Sequence, residues 1–232
     1  MAMDDHQSKV QRLYDACDAV FSSGSKAGLP TLKQIRWLQD LLDGMEAADV
    51  GIEGGGSGGE RSSSSEDDDE RSPPGRRFLS ARAFTRITYV HIHECDDFSI
   101  GVFCFPAGAT LPLHDHPQMV VLSKLLYGSM RVKSYDWANA PPCSGPRKSG
   151  LARVVAVDEM REAPCKASVL FPRSGGNIHS LTAVTPCALL DCDGFLSGFA
   201  VLEEADLPDG FRVAGAPYVG PELTTDMDSM YN

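Results

Sequence analysis

The chain has few basic residues and lacks both long apolar segments and paired cysteine motifs. Its 21 Lys and Arg are outnumbered by 32 Asp and Glu, which gives a formal charge of −11. Clustered cations bind nucleic-acid phosphates, so this composition argues against direct nucleic-acid binding. No uncharged apolar run approaches the roughly 18 residues of a membrane-spanning helix, and the acidic N-terminus does not resemble a signal peptide. We therefore expect a soluble protein without a membrane partner.

Cysteine usage points to a reducing compartment. The seven cysteines form an odd set without paired spacing, and the sequence contains no Asn-x-Ser/Thr glycosylation acceptor. These absences predict a protein of the cytoplasm, the nucleus or both. The cysteines are Cys17, Cys95, Cys104, Cys143, Cys165, Cys187 and Cys192.

Two amphipathic helices are predicted near the N-terminus. Apolar residues recur at helical spacing in residues 10–21 and again in residues 32–45. Thr31 and Gln34 have the spacing of a capping box, and Pro30 stops any element before it. We interpret both apolar stripes as packing faces.

The composition divides the chain into three parts. Residues 1–50 contain the two helices and are expected to pack on the rest of the fold. Residues 51–77 are rich in Gly, Ser and acidic side chains. Such a segment cannot bury enough apolar surface to offset an ordering entropy of about 1–2 kcal/mol per residue, so we interpret it as a flexible insertion. Residues 78–232 form the third part, which we expect to be the functional body of the fold.

From residue 87 onward, the sequence consists of short segments rich in β-formers, separated by Gly, Pro, Asn and Asp. Eight such segments with turns at regular intervals predict a mainly β fold, either a sandwich or a small barrel. The 42% of hydrophobic residues is enough for one sizeable core. The predicted strands are residues 87–93, 98–105, 119–126, 130–137, 154–157, 168–171, 178–184 and 188–191.

Two of the six histidines form a candidate metal-binding motif. His114 and His116 are separated by one residue on a predicted extended segment, so both imidazoles face the same side and can bind one metal. Five residues separate Gly108 from His114, and six separate Val121 from Gly128. This spacing resembles the first motif of the cupins, G-x5-HxH-x4-E-x6-G, with Val121 in place of the acidic ligand.

A third histidine is expected to join this pair. Residues 171–179 form a Gly-rich turn that leads into a predicted strand, and they resemble the second cupin motif. This resemblance brings His179 across the barrel to the first two histidines. His91 and His93 have the same alternation and are a rival zinc site, but they lack the glycine frame; their other interpretation is a pair of strand histidines.

Three neutral imidazoles favour a particular chemistry. Imidazole suits zinc, copper, iron and nickel, whereas non-haem iron oxygenases commonly use two histidines and a carboxylate. A third neutral histidine leaves the full charge of a divalent ion, and such a site accepts an anionic thiolate. Positions remain for a chelating amine and for dioxygen. The pattern favours oxygenation of a cysteine-like thiol to the sulfinate.

A specific family resemblance extends over nearly all of the chain outside residues 53–75. The segments that carry it are Val10–Tyr14, Asp49–Gly51, Ile87–His91, Glu94–Cys104, Pro112–Pro117, Ser123–Met130, Tyr135–Trp137, Ser174–His179, Leu202–Glu204 and Tyr218–Pro221. These segments strongly resemble the plant cysteine oxidases, which are relatives of animal 2-aminoethanethiol dioxygenase.

The resemblance implies a fold, a cofactor and a reaction. The fold is a cupin-like β-barrel (a double-stranded β-helix) with two N-terminal α-helices, and it holds Fe(II) on His114, His116 and His179. The family inserts both atoms of O2 into the N-terminal cysteine of a protein, which becomes cysteine sulfinic acid. In plants the substrates are transcription factors of the group VII ethylene-response type, whose oxidised N-termini enter the Arg/N-degron pathway in the hypoxia response. The resemblance also implies a monomer.

Asp191 is the catalytic residue that the resemblance implies, because it matches a family aspartate near the iron that assists substrate binding or catalysis. A carboxylate there could pair with the α-ammonium of the substrate or accept its proton. The alternative interpretation of Asp191 is an ordinary acidic residue at a strand end.

The segment after Asp191 departs from the family pattern. The family normally carries a Pro-Pro-Tyr-Ser segment there and a Cys-Thr-Tyr-Tyr segment further on, whereas residues 192–199 run almost directly into the C-terminal portion. The histidine site needs neither segment. The departure leaves two alternatives open, namely a dioxygenase of small free thiols such as cysteine or cysteamine, and a low-activity cupin that acts as a binding module.

Overall fold

The computed structural model describes residues 7–22, 29–53, 78–80, 83–138, 151–196 and 211–225. Residues 54–77, which make up most of the predicted insertion, lie outside this set. The two flanks of the insertion lie side by side, because Leu79 N donates to Gly51 O (2.9 Å) and Glu53 N donates to Leu79 O (2.9 Å). The three-part division of the chain stays a prediction.

Two helices near the N-terminus are confirmed. Helix α1 spans Lys9–Cys17, where the sequence predicted a longer element, and the chain continues as a single π-helical turn, Asp18–Ser22. Helix α2 spans Leu32–Asp43. The predicted capping box at its start is present, since Gln34 N donates to Thr31 Oγ1 and Gln34 Oε1 accepts from Thr31 N.

Ten strands form two separate sheets in the described part of the chain. One sheet has six strands in the order β10-β1-β2-β9-β4-β7, and the other has four in the order β3-β8-β5-β6. The strands are β1 Thr88–Glu94, β2 Phe98–Phe105, β3 Thr110–His114, β4 Met119–Tyr127, β5 Ser129–Trp137, β6 Ala152–Glu162, β7 Ser168–Leu170, β8 Ile178–Ala183, β9 Cys187–Phe195 and β10 Ala214–Ala216.

The predicted mainly β class with two N-terminal helices is confirmed, with the sheets arranged as a sandwich rather than closed into a barrel. All eight predicted strands are present. The sequence did not indicate β3, which is five residues long and contains Pro112, or β10, whose Ala-Gly-Ala sequence has low β-propensity. Strand β10 exists because it pairs in parallel with β1.

Two hydrophobic clusters hold the layers together. The larger cluster joins the helices to the outer face of the six-stranded sheet through residues such as Leu13, Leu38 and Leu190. The smaller cluster contains side chains from both sheets, including Leu181 of β8 and Leu189 of β9. The helices thus cover one face of the large sheet, and its other face packs against the small sheet. Among the described residues, we find no helix with the length and apolarity needed to cross a membrane.

We expect Leu38→Ala to lower the free energy of unfolding by about 2–5 kcal/mol, because Leu38 is fully buried between helix α2 and the large sheet. Leu32→Ala on the same helix is the matched control, since that side chain is 66% exposed and its removal should change stability by no more than about 0.5 kcal/mol. Urea unfolding followed by circular dichroism measures both values. Equal losses in the two variants would contradict the packing described here.

Candidate metal centre

Strands β3 and β8 bring the three predicted metal ligands together. His114 is the last residue of β3 and pairs directly with His179 of β8, and His116 follows in the loop before β4. The ring centroid of His114 lies 4.4 Å from that of His179 and 5.0 Å from that of His116. The ring centroids of His116 and His179 are 5.1 Å apart. Each histidine has one ring nitrogen that lies within 4.8 Å of a ring nitrogen of the other two histidines. The three imidazoles are thus compatible with a single metal ion.

A tight turn positions His179 at the start of β8. Gly175 and Gly176 have φ angles of 89° and 86°, a region that favours glycine. A side chain on Gly176 would also collide with Ser134 of β5, because a Cβ atom there would lie 2.7 Å from the Ser134 hydroxyl oxygen. The second motif of the sequence therefore contains glycine where the backbone must turn beside a neighbouring strand.

Backbone carbonyls orient two of the three rings. His114 Nδ1 lies 2.8 Å from Pro112 O, and His179 Nδ1 lies 3.3 Å from Gly176 O. A carbonyl oxygen can only accept a hydrogen bond, so a neutral imidazole must donate its Nδ1 proton there. The lone pair of Nε2 is then free on both rings, which is the arrangement that a metal ligand requires.

Burial keeps the three imidazoles neutral. It lowers the pKa of His114 below its usual 6.5, that of His116 to about 4 and that of His179 to about 3. The neighbouring imidazoles lower the pKa of His116 and His179 further, whereas Asp115 partly offsets the effect of burial at His114. The site at neutral pH is a set of uncharged nitrogen donors, which suits iron, zinc, copper or nickel.

The ligand cluster contains no carboxylate among the described residues. Val121, which the sequence places in the acidic position of the motif, is buried in β4. Its cross-strand partner in β9 is Asp193. An apolar side chain thus occupies the position from which many cupins supply a fourth ligand, and an acidic residue lies opposite it on the neighbouring strand.

Asp191 lies outside the histidine cluster, on the six-stranded sheet. It is in the middle of β9, where it pairs with Gly101 of β2 and Ser123 of β4. Because strand side chains alternate, Asp191 and Asp193 share a face with Leu189, which packs between the two sheets. Burial, and then the charge of Asp193, raise the pKa of Asp191 well above its usual value.

Asp193 was missed by the sequence analysis. Burial raises the pKa of its carboxyl to about 7, and the hydroxyl of Ser99 partly opposes that effect. The Oδ1 atoms of both Asp191 and Asp193 are buried and have no hydrogen-bond partner within the described part of the chain. The two-residue spacing on a predicted strand was the available signal, since it places both carboxyls on one face.

The rival pair His91 and His93 does not form a shared site. A β-bulge between them breaks the expected alternation. His93 packs against Tyr14 and Phe98 with ring centroids 4.7 and 4.9 Å apart, whereas His91 is half-exposed and its Nε2 lies 3.5 Å from Glu94 Oε2. The alternative interpretation of two strand histidines fits this arrangement.

The two-sheet fold is that of the cupin class, and its three-histidine centre could hold a metal ion. The PCO_ADO family model matches residues 41–194. The chain is 42% identical to plant cysteine oxidase 1 from Arabidopsis thaliana over 92% of this chain and 80% of that protein. It is 34% identical to 2-aminoethanethiol dioxygenase from Homo sapiens over 45% of each chain. Among solved structures, an RmlC-like cupin from Desulfovibrio desulfuricans aligns with 54% of this chain and 97% of its own, at 17% identity and a TM-score of 0.31.

The chain belongs to the family of the plant cysteine oxidases and 2-aminoethanethiol dioxygenases, as its sequence predicted. The protein is therefore a thiol dioxygenase of the cupin class. Its histidine centre is consistent with that class, whose members use metal ions.

In the metal-free protein, we expect His116 and His179 to stay neutral down to about pH 5, because burial lowers their pKa values to about 4 and about 3. The folded state then binds fewer protons than the unfolded chain, in which histidine titrates near 6.5. These residues therefore reduce the free energy of unfolding as the pH falls below 6.5. An NMR titration of the ring Cε1–H signals checks this, with the urea-unfolded chain as control. Titration of the assigned signals near 6.5 in the folded protein would contradict it.

Proposed function

We propose that the protein is an Fe(II)-dependent dioxygenase that converts the N-terminal cysteine of proteins to cysteine sulfinic acid. The overall change is R–SH + O2 → R–SO2H, in which both oxygen atoms of dioxygen are added to the thiol sulfur. The observation that carries the proposal is the set of three neutral imidazoles, His114, His116 and His179, with no carboxylate in the ligand cluster of the described residues.

The charge of the site supports a thiol substrate. Neutral ligands do not reduce the charge of a divalent ion, so the centre favours an incoming thiolate, which the buried site could not otherwise hold without a large desolvation cost. Sulfur oxygenation also requires a redox-active ion, which excludes zinc as the working metal. A ferrous ion held by the three histidines would supply the electron transfer between thiolate sulfur and dioxygen.

We assign Asp191 as the catalytic residue of the protein chain. Its carboxyl group is on the inner face of β9, between the two sheets, and its Oδ1 atom has no hydrogen-bond partner among the described residues. Burial raises the pKa of this carboxyl, so its carboxylate form accepts a proton more readily than an exposed carboxylate does. In the proposed reaction, Asp191 binds the α-ammonium group of the N-terminal cysteine or accepts a proton as the substrate binds.

The proposed substrates are proteins that begin with cysteine, such as group VII ethylene-response transcription factors. The relatives at 42% and 39% identity are plant cysteine oxidases 1 and 2 of Arabidopsis thaliana. The sulfinate product would commit such substrates to the Arg/N-degron pathway, so that dioxygen acts as both cosubstrate and signal. The reaction would take place in the cytoplasm or nucleus, with the enzyme as a monomer.

We expect freshly iron-loaded protein to add two oxygen atoms to a peptide that begins with cysteine, and to consume dioxygen in proportion. Mass spectrometry of the peptide and an oxygen electrode measure the two quantities. The N-acetylated peptide and a serine-initiated peptide are matched controls that should remain unmodified. A folded, iron-containing protein that oxidises none of these peptides would overturn the proposal.

A second candidate substrate is a small free thiol, because residues 192–199 replace the segments that the family normally carries after Asp191. Two relatives in other organisms are named 2-aminoethanethiol dioxygenase for such a thiol. Comparison of kcat/KM on the peptide, free cysteine and 2-aminoethanethiol decides between the two. A higher value on either free thiol would favour the second candidate.

We expect Asp191→Asn to reduce kcat/KM on the cysteine-initiated peptide by about 10²-fold or more, because the amide can neither accept the proton nor carry a negative charge. Iron content should stay unchanged, since Asp191 is not in the ligand cluster. Asp96→Asn, on the exposed turn between β1 and β2, is the control and should behave as wild type. Full activity of Asp191→Asn would exclude Asp191 from catalysis.

A further inference from the structure

His116 is the one histidine of the metal centre that no strand holds. His114 is part of β3 and His179 is part of β8, and the two pair with each other across the sheet. His116 lies two residues beyond the end of β3, in the loop before β4. Its backbone therefore needs other partners to fix the direction of its ring. We propose that Asn177, held in place by Asp136, is a positioning residue of the metal centre that fixes the backbone of His116.

The side-chain amide of Asn177 bonds to the His116 backbone as a neighbouring strand would. His116 N donates to Asn177 Oδ1 (3.0 Å), and Asn177 Nδ2 donates to His116 O (3.0 Å). This is the reciprocal pair of bonds that two opposed residues exchange in an antiparallel sheet. Met119 N also donates to His116 O, at a longer 3.4 Å. Asn177 is 2% exposed, so bulk solvent has little access to its amide.

Asn177 is itself fixed by two further contacts. Its Nδ2 atom donates a second hydrogen bond, to Phe171 O (3.1 Å), which fixes the orientation of the amide. Asp136 of β5 is 2% exposed, and its Oδ1 atom accepts from Gly176 N (2.8 Å) and Asn177 N (3.2 Å). Arg153 partly balances the buried carboxylate, with Nη2 lying 3.4 Å from Asp136 Oδ2. The Asp136 side chain thus holds the turn from which the Asn177 amide reaches the His116 backbone.

The clamp of Asn177 and Asp136 acts on two of the three ligands. Asn177 holds the backbone of His116, and the Gly176 carbonyl in the same turn accepts from His179 Nδ1. Groups that orient metal ligands in this way commonly change metal affinity 10–100-fold when they are removed. The inference rests on the metal centre of the proposed function, but not on the reaction carried out there, so metal binding alone can test it.

The chain offers a matched control for Asn177. Gln11 of helix α1 is also buried, and its amide makes the same reciprocal pair of bonds to the Thr224 backbone: Nε2 donates to Thr224 O (3.0 Å) and Oε1 accepts from Thr224 N (2.7 Å). This second amide clamp ties the C-terminal segment to the helical layer on the outer face of the large sheet. Its loss should affect stability without changing the metal centre.

The test is titration of the metal-free protein with Co(II), followed through the ligand-field absorption bands of the bound ion. We expect Asn177→Ala to bind Co(II) 10–100-fold more weakly than wild type, with altered band positions or intensities, because His116 no longer has a fixed direction. Gln11→Ala should keep the wild-type affinity and spectrum. Wild-type binding by a folded Asn177→Ala protein would overturn the inference, as would an equal loss in Gln11→Ala.

A second pair of variants decides the question if Asn177→Ala does not fold. Asp136→Ala removes the acceptor for Gly176 N and Asn177 N, and should weaken Co(II) binding. Asp136→Asn retains an oxygen at that position and should restore most of the affinity. Identical affinities in these two variants would contradict the clamp. Failure of the wild-type protein to bind Co(II) would overturn the metal centre and the clamp together, a result distinct from failure of the clamp alone.

Discussion

The direct pairing of His114 with His179 across strands β3 and β8 is the constraint on which the site depends. It joins two residues that are far apart in the sequence through backbone hydrogen bonds, so their separation is set by the sheet and not by side-chain flexibility. Their rings are then fixed by the Pro112 and Gly176 carbonyls. The third histidine needs to be positioned relative to only one rigid pair. The sandwich thus provides most of the preorganisation before any ion binds.

Much of the fold could be predicted from local sequence patterns. Helix α2 could be predicted because Thr31 and Gln34 carry the capping signal. Most strands could be predicted because they are short segments rich in β-formers between turn residues. Strand β3 was missed because it is only five residues long and contains Pro112, and the bulge between His91 and His93 left no signal in the sequence. A bulge of one residue reverses the face of every side chain beyond it.

The residues of the candidate site differ in how far the sequence alone could predict them. His114 and His116 are close in sequence and framed by glycines, so spacing alone indicated a shared face. Placing His179 with them required a family resemblance, because no local rule relates residues more than sixty positions apart. The roles of Asn177 and Asp136 depend on hydrogen bonds between three separate segments, and only the folded chain shows them. Positioning groups of this kind are the part of a site that sequence patterns conceal most completely.

The separation of charge between the two sheets bears on which thiol the enzyme uses. The small sheet presents neutral nitrogen donors, whereas the large sheet presents Asp191 and Asp193 on its inner face. An N-terminal cysteine and 2-aminoethanethiol both carry an ammonium group close to the thiol and have no free α-carboxylate. Free cysteine adds a carboxylate, which ionised aspartates on this face would repel and to which the uncharged imidazoles offer no cation beyond the proposed metal ion. Within the proposed function, we therefore expect the centre to favour thiols that carry an ammonium group but no carboxylate, an electrostatic preference that needs no steric barrier.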